Sequence, residues 1–123
     1  MEDILSVKDR MRIVQELVPG KQITLAHIIA NPDDVLYQKL GLDPSLDYKS
    51  SAIGIVTMSP AETAIIAGDI AIKASGSDLG FVDRFSGTLI ITGTVSSVQS
   101  ALDAVCEYCQ DTLGFTVCPI TKT

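Results

Sequence analysis

The stretch that decides the fold is Arg84-Phe85-Ser86-Gly87, which is followed by Thr-Leu-Ile-Ile-Thr-Gly-Thr at 88–94. A short run with Ser and Gly between two apolar, β-branched segments is typical of two strands joined by a turn. We therefore predict strands at Phe81-Val82 and at Leu89-Ile90-Ile91, connected around 84–87. On pattern alone the connection is an ordinary hairpin turn, in which Arg84 is a solvated charge and Phe85 belongs to the core.

Caps, prolines and glycines divide the rest of the chain into strands and helices. The predicted strands lie at 11–18, 23–29, 52–58 and 115–120. The predicted helices are a short one that begins at the Asn31 cap and ends near Leu40 at Gly41, one capped by Ser59 that runs to Ala74 and stops near Gly76, and one capped by Thr94 that ends at Gly114. The order βαβαββαβ, with polar residues at 43–50, predicts an α/β fold with helices against one open sheet.

Composition limits both the architecture and the partners. The chain has 123 residues, of which 46% are hydrophobic but only 5% aromatic, so one domain with an Ile, Val, Leu and Ala core is expected. A net charge of −6 disfavours nucleic acid and anionic lipid. No apolar run approaches the roughly 20 residues of a membrane span, and the start of the chain is acidic, not basic as in a secretory signal. We therefore expect a cytoplasmic protein without membrane or nucleic-acid partners.

The helix predicted from Ala61 to Ala74 is apolar on most of its surface. Its charged residues Glu62, Asp69 and Lys73 are spaced by seven and four and so share one stripe. We expect Ile65 and Ile72 to cover the sheet, while the small residues and the other isoleucines occupy the remaining flanks. A subunit of this size cannot hide all of them, so the pattern indicates a second covering surface. Another helix of the same chain and a neighbouring subunit are equally compatible with it.

The residues that most often carry chemistry form no catalytic constellation. The second long helix places Val98, Leu102, Val105 and Cys109 on one apolar face, which makes Cys109 a core residue. The spacing of Cys106 and Cys109, with Cys118, is compatible with zinc or an iron–sulfur cluster, but a reduced, structural role is strongly favoured. His27, the only histidine, lies in an apolar strand and is interpreted as a core or interface residue. The pair Asp33-Asp34 is explained by the start of a helix. We expect no metal, no cofactor and no enzymatic activity.

Four separated runs resemble one family in the right order. They are Leu-Val-Pro-Gly-Lys-Gln-Ile-Thr-Leu-Ala-His-Ile-Ile-Ala-Asn-Pro at 17–32, Ala-Ile-Gly-Ile at 52–55, Gly-Phe-Val-Asp-Arg-Phe-Ser-Gly at 80–87 and Cys-Pro-Ile-Thr-Lys-Thr at 118–123. This pattern is similar to the circularly permuted shell proteins of bacterial microcompartments. It resembles the S type of ethanolamine-utilisation and the U type of propanediol-utilisation compartments, with choline-utilisation relatives also compatible. The resemblance covers the chain from Arg10 to its last residue.

The resemblance implies a flexible tail at 1–9 and one shell domain at 10–123, which forms a cyclic homohexamer that tiles with other shell proteins around enzymes. Six copies of the strand at 10–18 are then expected to form a small β-barrel that plugs the central pore. The candidate barrel residues are Arg10, Arg12, Ile13, Val14, Gln15 and Glu16. The candidate pore-loop residues are Arg84, Phe85, Ser86 and Gly87, and Lys73 is the candidate contact at the hexamer edge. Encapsulated enzymes are a further candidate partner.

Two alternatives remain open at this point. The first is an oligomeric regulatory domain that binds a small metabolite between subunits. The second is a pore subunit that carries a metal or redox group on Cys106, Cys109 and Cys118.

Overall fold

The computed structural model describes residues 20–42 and 51–123. The predicted tail at 1–9, the barrel strand at 10–18 and the polar loop at 43–50 lie outside these ranges. Within them the elements follow in the order β1 (Gln22–Ile29), α1 (Asp34–Lys39), β2 (Ala52–Ser59), α2 (Thr63–Ser75), β3 (Asp78–Asp83), β4 (Thr88–Gly93), α3 (Val95–Asp111) and β5 (Thr121–Lys122). The predicted α/β class and element order are confirmed.

The sheet has five strands in the order β3-β4-β2-β1-β5. The pairs β1–β2, β2–β4 and β3–β4 are antiparallel, and only β1–β5 is parallel. The predicted open sheet is therefore present, and its pairing is mostly antiparallel.

Helices α2 and α3 pack on one face of the sheet and bury the main core. That core is built from alanines and branched aliphatic side chains, among them Val56, Leu89, Ile91, Val98 and Leu102. A smaller cluster on the opposite face joins Tyr37 and Leu42 to Ile53 and Ile90. Because successive strand residues point to opposite faces, Ile90 and Ile91 belong to different clusters.

Two predicted caps are wrong. The side chain of Asp33, not that of Asn31, accepts a hydrogen bond from the Val35 N–H and caps α1. Ser59 remains the last residue of β2, paired with Gln22, and does not cap α2. Strand pairing therefore holds the backbone of Ser59, and α2 begins only at Thr63, where the Glu62 side chain makes no capping bond.

Other boundaries agree with the prediction more closely. Helix α2 ends at Ser75 before Gly76, whose φ is 69°. The hydroxyl of Thr94 accepts from the Ser97 N–H and caps α3, as predicted. However, α3 ends at Asp111, before the predicted Gly114.

The last strand is much shorter than predicted. Residues 115–120 contact β1 through a bridge at Thr116, and regular pairing is limited to Thr121–Lys122. Pro119 carries no N–H, so it cannot take part as a donor in a continuous ladder. Phe115 and Ile120 instead pack against the main core.

The orientation of α2 also differs from the prediction. The residues that face the core are Ala64, Ala67, Gly68 and Ala71, all fully buried, whereas Ile65 and Ile72 are exposed. A Cβ added to Gly68 would lie 3.5 Å from Val82 and 3.6 Å from Leu79. The small residues therefore let α2 approach the sheet closely, and the larger isoleucines are displaced to its flanks.

Candidate assembly site

The turn between β3 and β4 is held by Asp83. Its Oδ1 accepts the Phe85 N–H at 2.8 Å, and its Oδ2 accepts the Ser86 hydroxyl at 2.8 Å. The Gly87 N–H donates to the Asp83 carbonyl at 2.9 Å. The bond from the Phe85 N–H, followed by that from Ser86, lowers the pKa of the Asp83 carboxyl. An ionised carboxylate thus fixes the backbone of the loop.

Gly87 attaches this loop to the end of β2. Its carbonyl accepts the Met58 N–H at 2.9 Å, and its φ is 76°. A Cβ at this position would lie 2.1 Å from the Met58 carbonyl oxygen, which is a backbone atom that cannot rotate away. Only glycine fits here, for both conformational and steric reasons.

Phe85 and Arg84 project from the loop into solvent. The Phe85 side chain is 82% exposed, which contradicts its assignment to the core. The Arg84 guanidinium carbon lies 5.0 Å from the centroid of the Phe85 ring, within the range of a cation–π contact. The two side chains line a notch with Ile65 and Val82. The structure therefore brings the four predicted loop residues together on a rigid turn that displays one cation and one aromatic ring.

An apolar surface extends from this notch along the outermost strand. We call it the β3 flank and define it by Ile65, Ile72, Leu79 and the outer edge of β3. The three side chains are exposed by 54%, 39% and 46%, respectively. The sequence predicted a second covering surface for α2, but it did not identify Leu79, because the strand assignment at Phe81-Val82 stopped short of that residue.

Lys73 lies near the end of α2. Its Nζ is 2.8 Å from an Asp69 carboxylate oxygen one turn earlier, and both side chains are mostly exposed. The hydrogen bond that Lys73 donates to Asp69, followed by the negative charge of Asp69, raises the pKa of Lys73. The ammonium group is thus charged and accessible on the stripe that it shares with Asp69, as the spacing predicted. The candidate barrel residues between Arg10 and Glu16 fall outside the described residues.

Two of the three cysteines, Cys106 and Cys109, are buried in the main core, and Cys118 is partly buried against it. Burial, together with the charges of Cys118, Cys109 and Asp103, raises the pKa of Cys106 to about 11, and burial raises that of Cys109. Both thiols are therefore protonated at neutral pH. Across 20–42 and 51–123, no three His, Cys, Asp or Glu side chains are grouped as metal ligands would be. Cys109 is a fully buried core residue, as predicted.

His27 joins the C-terminal segment to β1. Its Nδ1 lies 2.6 Å from the Thr121 hydroxyl and its Nε2 lies 2.9 Å from the Thr123 hydroxyl. Backbone bonds from the Ala30 N–H to the Thr123 carbonyl and from the Thr123 N–H to the Ile28 carbonyl support the same pairing. Both ring nitrogens are thus engaged in holding the sheet edge, which explains this histidine structurally.

Helices of the described part of the chain are too short or too polar to cross a lipid bilayer.

Comparison with known proteins identifies the family. Residues 52–121 match the BMC domain. The chain is 50% identical over 112 residues to the bacterial microcompartment shell protein CutR of Streptococcus intermedius, which covers 91% of this chain and 92% of CutR. It is 48% identical over 115 residues to the shell protein EutS of Escherichia coli K12, which covers 94% of this chain and 99% of EutS.

Among solved structures, a flat hexamer of CutR superposes with a TM-score of 0.78 at 48% identity, covering 86% of this chain and 94% of that one. The proteins matched in sequence are named as shell proteins, so neither the regulatory nor the redox alternative gains support from them. The domain match and these identities over nearly the whole chain lead to one conclusion: the chain belongs to the BMC domain family of bacterial microcompartment shell proteins.

Proposed function

We propose that this protein is a non-enzymatic structural subunit of a bacterial microcompartment shell, and that it forms cyclic hexamers. The observation that carries the proposal is the β3 flank, which leaves three large aliphatic side chains and a strand edge uncovered in the single chain. Unpaired strand edges and contiguous apolar patches are normally covered in soluble proteins. In a ring, the next subunit would cover this flank, and the structure of the relative CutR as a flat hexamer supports a ring of six.

The loop at 84–87 is proposed to face the six-fold axis of the hexamer. Support comes from its rigidity, which rests on Asp83 and Gly87, and from the exposure of Phe85. Six rigid loops then surround the pore with six Arg84 cations and six Phe85 rings.

The permuted N-terminal strand at 10–18 is proposed to form a six-stranded barrel over this pore. The residues that we assign to it are Arg10, Arg12, Ile13, Val14, Gln15 and Glu16. This part of the proposal rests on the resemblance of the sequence to permuted shell proteins. A closed barrel pairs both edges of every strand, so it is a physically sound use of a segment with this composition.

Lys73 is proposed to lie at the contact between neighbouring hexamers. A lysine suits a symmetric edge because its flexible aliphatic stem packs against its counterpart while the ammonium group reaches an oxygen of the neighbour. Its partners would be identical hexamers or other shell proteins, with encapsulated enzymes as a further class. The site of action is the shell in the cytoplasm.

The solution mass measured by light scattering tests this function. We expect a hexamer for the full chain, with larger assemblies at higher concentration, and a surviving hexamer after deletion of residues 1–18. A monomer at all concentrations would contradict the proposal. Lys73→Ala is expected to keep the hexamer but to suppress sheets in electron micrographs, whereas Lys39→Ala serves as a matched exposed-lysine control on α1.

A further inference from the structure

The three cysteines are the reactive side chains that the proposed function leaves unused. All three are free thiols. Cys106 and Cys109 lie on α3 and belong to the main core, and Cys118 packs against that core from the C-terminal segment, residues 115–123. Thiols that two separate segments bring together can be joined by oxidation, provided that their Cα atoms approach to about 4.4–6.8 Å.

The chain reverses its direction after α3. The Phe115 N–H donates to the Cys109 carbonyl at 2.8 Å, which fixes the start of the C-terminal segment against the end of the helix. From there the segment follows the edge of β1 as far as Thr121–Lys122. Cys118 packs from this segment against the main core, and Cys106 lies three residues before Cys109 on the part of α3 that the segment passes.

The electrostatics place Cys118 close to Cys106. Burial is the largest cause that raises the pKa of Cys106 to about 11, and the charge of Cys118 is the next, ahead of that of Cys109. Cys109 is three residues from Cys106 on the same helix, a spacing that puts two Cβ atoms about 5–6 Å apart. Since a Coulomb interaction weakens with distance, Cys118 lies at a comparable distance from Cys106.

The three thiols differ in their access to solvent. Cys118 is partly exposed, Cys106 is 9% exposed and Cys109 is completely buried. A small oxidant therefore reaches Cys118 first, and Cys106 is the neighbouring thiol that the core does not fully enclose. Oxidation of an accessible thiol to a sulfenic acid, followed by condensation with a second thiol, is a known route to a disulfide.

We propose that Cys118 and Cys106 form a peroxide-sensitive pair that closes to a disulfide between the C-terminal segment and α3. In the first step the Cys118 sulfur attacks hydrogen peroxide: an S–O bond forms, the O–O bond breaks, and the departing oxygen takes up the thiol proton and leaves as water. In the second step the Cys106 sulfur attacks the sulfur of this sulfenic acid, so that the S–S bond forms and the S–O bond breaks. The Cys106 proton leaves with the oxygen as a second water. The two electrons that the sulfurs lose reduce the peroxide.

The disulfide would act as a covalent clamp on the edge of the sheet. It closes a loop over residues 107–117, which contains the end of α3 and the start of the C-terminal segment. Such a cross-link stabilises the fold mainly by restricting the unfolded chain. In the reduced protein, hydrogen bonds hold the same edge, among them those of His27 with Thr121 and Thr123. The inference does not depend on the ring, because both thiols belong to one chain.

Peptide mapping under non-reducing conditions tests the pair. The full chain is treated with hydrogen peroxide at mildly alkaline pH, its remaining thiols are blocked by alkylation, and it is then unfolded and cleaved after glutamate. Glu107 lies between Cys106 and the other two cysteines, so cleavage separates fragment 63–107 from fragment 108–123. We expect peroxide to join these fragments, with the mass of their sum less two hydrogen atoms, and dithiothreitol to separate them. The oxidised protein should run as a single chain on a non-reducing gel.

Serine variants identify the two sulfurs. Cys109→Ser should still give the joined fragments, whereas Cys106→Ser and Cys118→Ser should each abolish them. Peroxide should also raise the urea midpoint of the wild type and of Cys109→Ser, but not that of Cys106→Ser. Each variant is compared with its own reduced form, so a loss of stability from the substitution itself does not affect the result.

Three outcomes would overturn the proposal. The first is loss of the joined fragments in Cys109→Ser, because Cys109 would then be one of the two partners. The second is oxidation of Cys118 to the sulfinic acid in the wild type without joined fragments. The third is a disulfide between two chains, which a non-reducing gel would show as a band of twice the mass.

Discussion

At the scale of single residues, the loop depends on Gly87. The backbone at φ 76° and the Met58 carbonyl 2.1 Å from the position of an added Cβ both exclude a side chain. We expect Gly87→Ala to lower the free energy of unfolding by about 2–4 kcal/mol. Gly41→Ala is the matched control, because Gly41 has φ 66° but no atom within 4 Å of its added Cβ. Gly41→Ala should lower the free energy of unfolding by only about 1 kcal/mol. Urea unfolding at fixed protein concentration measures both variants. Equal losses of stability in the two variants would argue against the clash at Gly87.

The carboxylate of Asp83 makes a second prediction at this scale. Its pKa in the folded protein is lowered from 3.8, so its contribution to stability is full above that value and is lost as the pH falls through the lowered pKa. The stability advantage of the wild type over Asp83→Asn should therefore be constant near neutral pH and shrink in acid. The free energies of unfolding of the wild type and of Asp83→Asn, measured from neutral pH into acid, check this prediction. An advantage that stays constant as the solution is acidified would contradict the role of Asp83.

At the scale of elements, two buried glycines predict opposite effects of substitution by alanine on stability. Gly68 lies in α2, and Gly54 lies in β2. Around Gly68 an added Cβ makes ordinary contacts at 3.5–3.6 Å, so Gly68→Ala should stabilise by about 0.5–1 kcal/mol through helix propensity. At Gly54 in β2 the added Cβ would lie 2.6 Å from Val98 and 2.9 Å from Leu102, so Gly54→Ala should destabilise by about 1–3 kcal/mol. Urea unfolding of the pair measures how closely each helix contacts the sheet. A loss at Gly68 similar to that at Gly54 would contradict this packing.

The elements also show what the sequence could and could not predict. Strong local signals succeeded: the strands predicted at 23–29 and 52–58, the Thr94 cap and the stop at Gly76 are where the pattern placed them. The Ser59 cap failed because pairing with Gln22 holds Ser59 in β2, an interaction between residues distant in sequence.

The loop and the orientation of α2 needed tertiary information. The turn at 84–87 lies where the pattern placed it, but the exposure of Phe85 depends on where neighbouring elements leave space. Helix α2 is apolar or small on most faces, so periodicity allowed either its alanines or its isoleucines to face the sheet, and the prediction that Ile65 and Ile72 do so was wrong. Close approach to β3, which requires small residues, made that choice.

At the scale of the whole molecule, the β3 flank predicts the effect of a charge on assembly. Ile65→Asp should lower the solution mass, because a carboxylate placed in a subunit interface loses water without gaining a partner. Val35→Asp on α1 is the control, since Val35 is 57% exposed and Ile65 is 54% exposed, and it should leave the mass unchanged. Light scattering distinguishes them. If both variants kept the mass of the wild type, the β3 flank would not be the subunit contact.

The open position of Phe85 has an optical consequence. The chain contains no tryptophan, so the wild-type protein has no tryptophan fluorescence. In Phe85→Trp, the new indole would be the only indole fluorophore of the chain. It would lie at the tip of the turn, where Phe85 is 82% exposed in the single chain. The wavelength of its emission maximum would then report how much water surrounds the tip of the turn as the protein assembles.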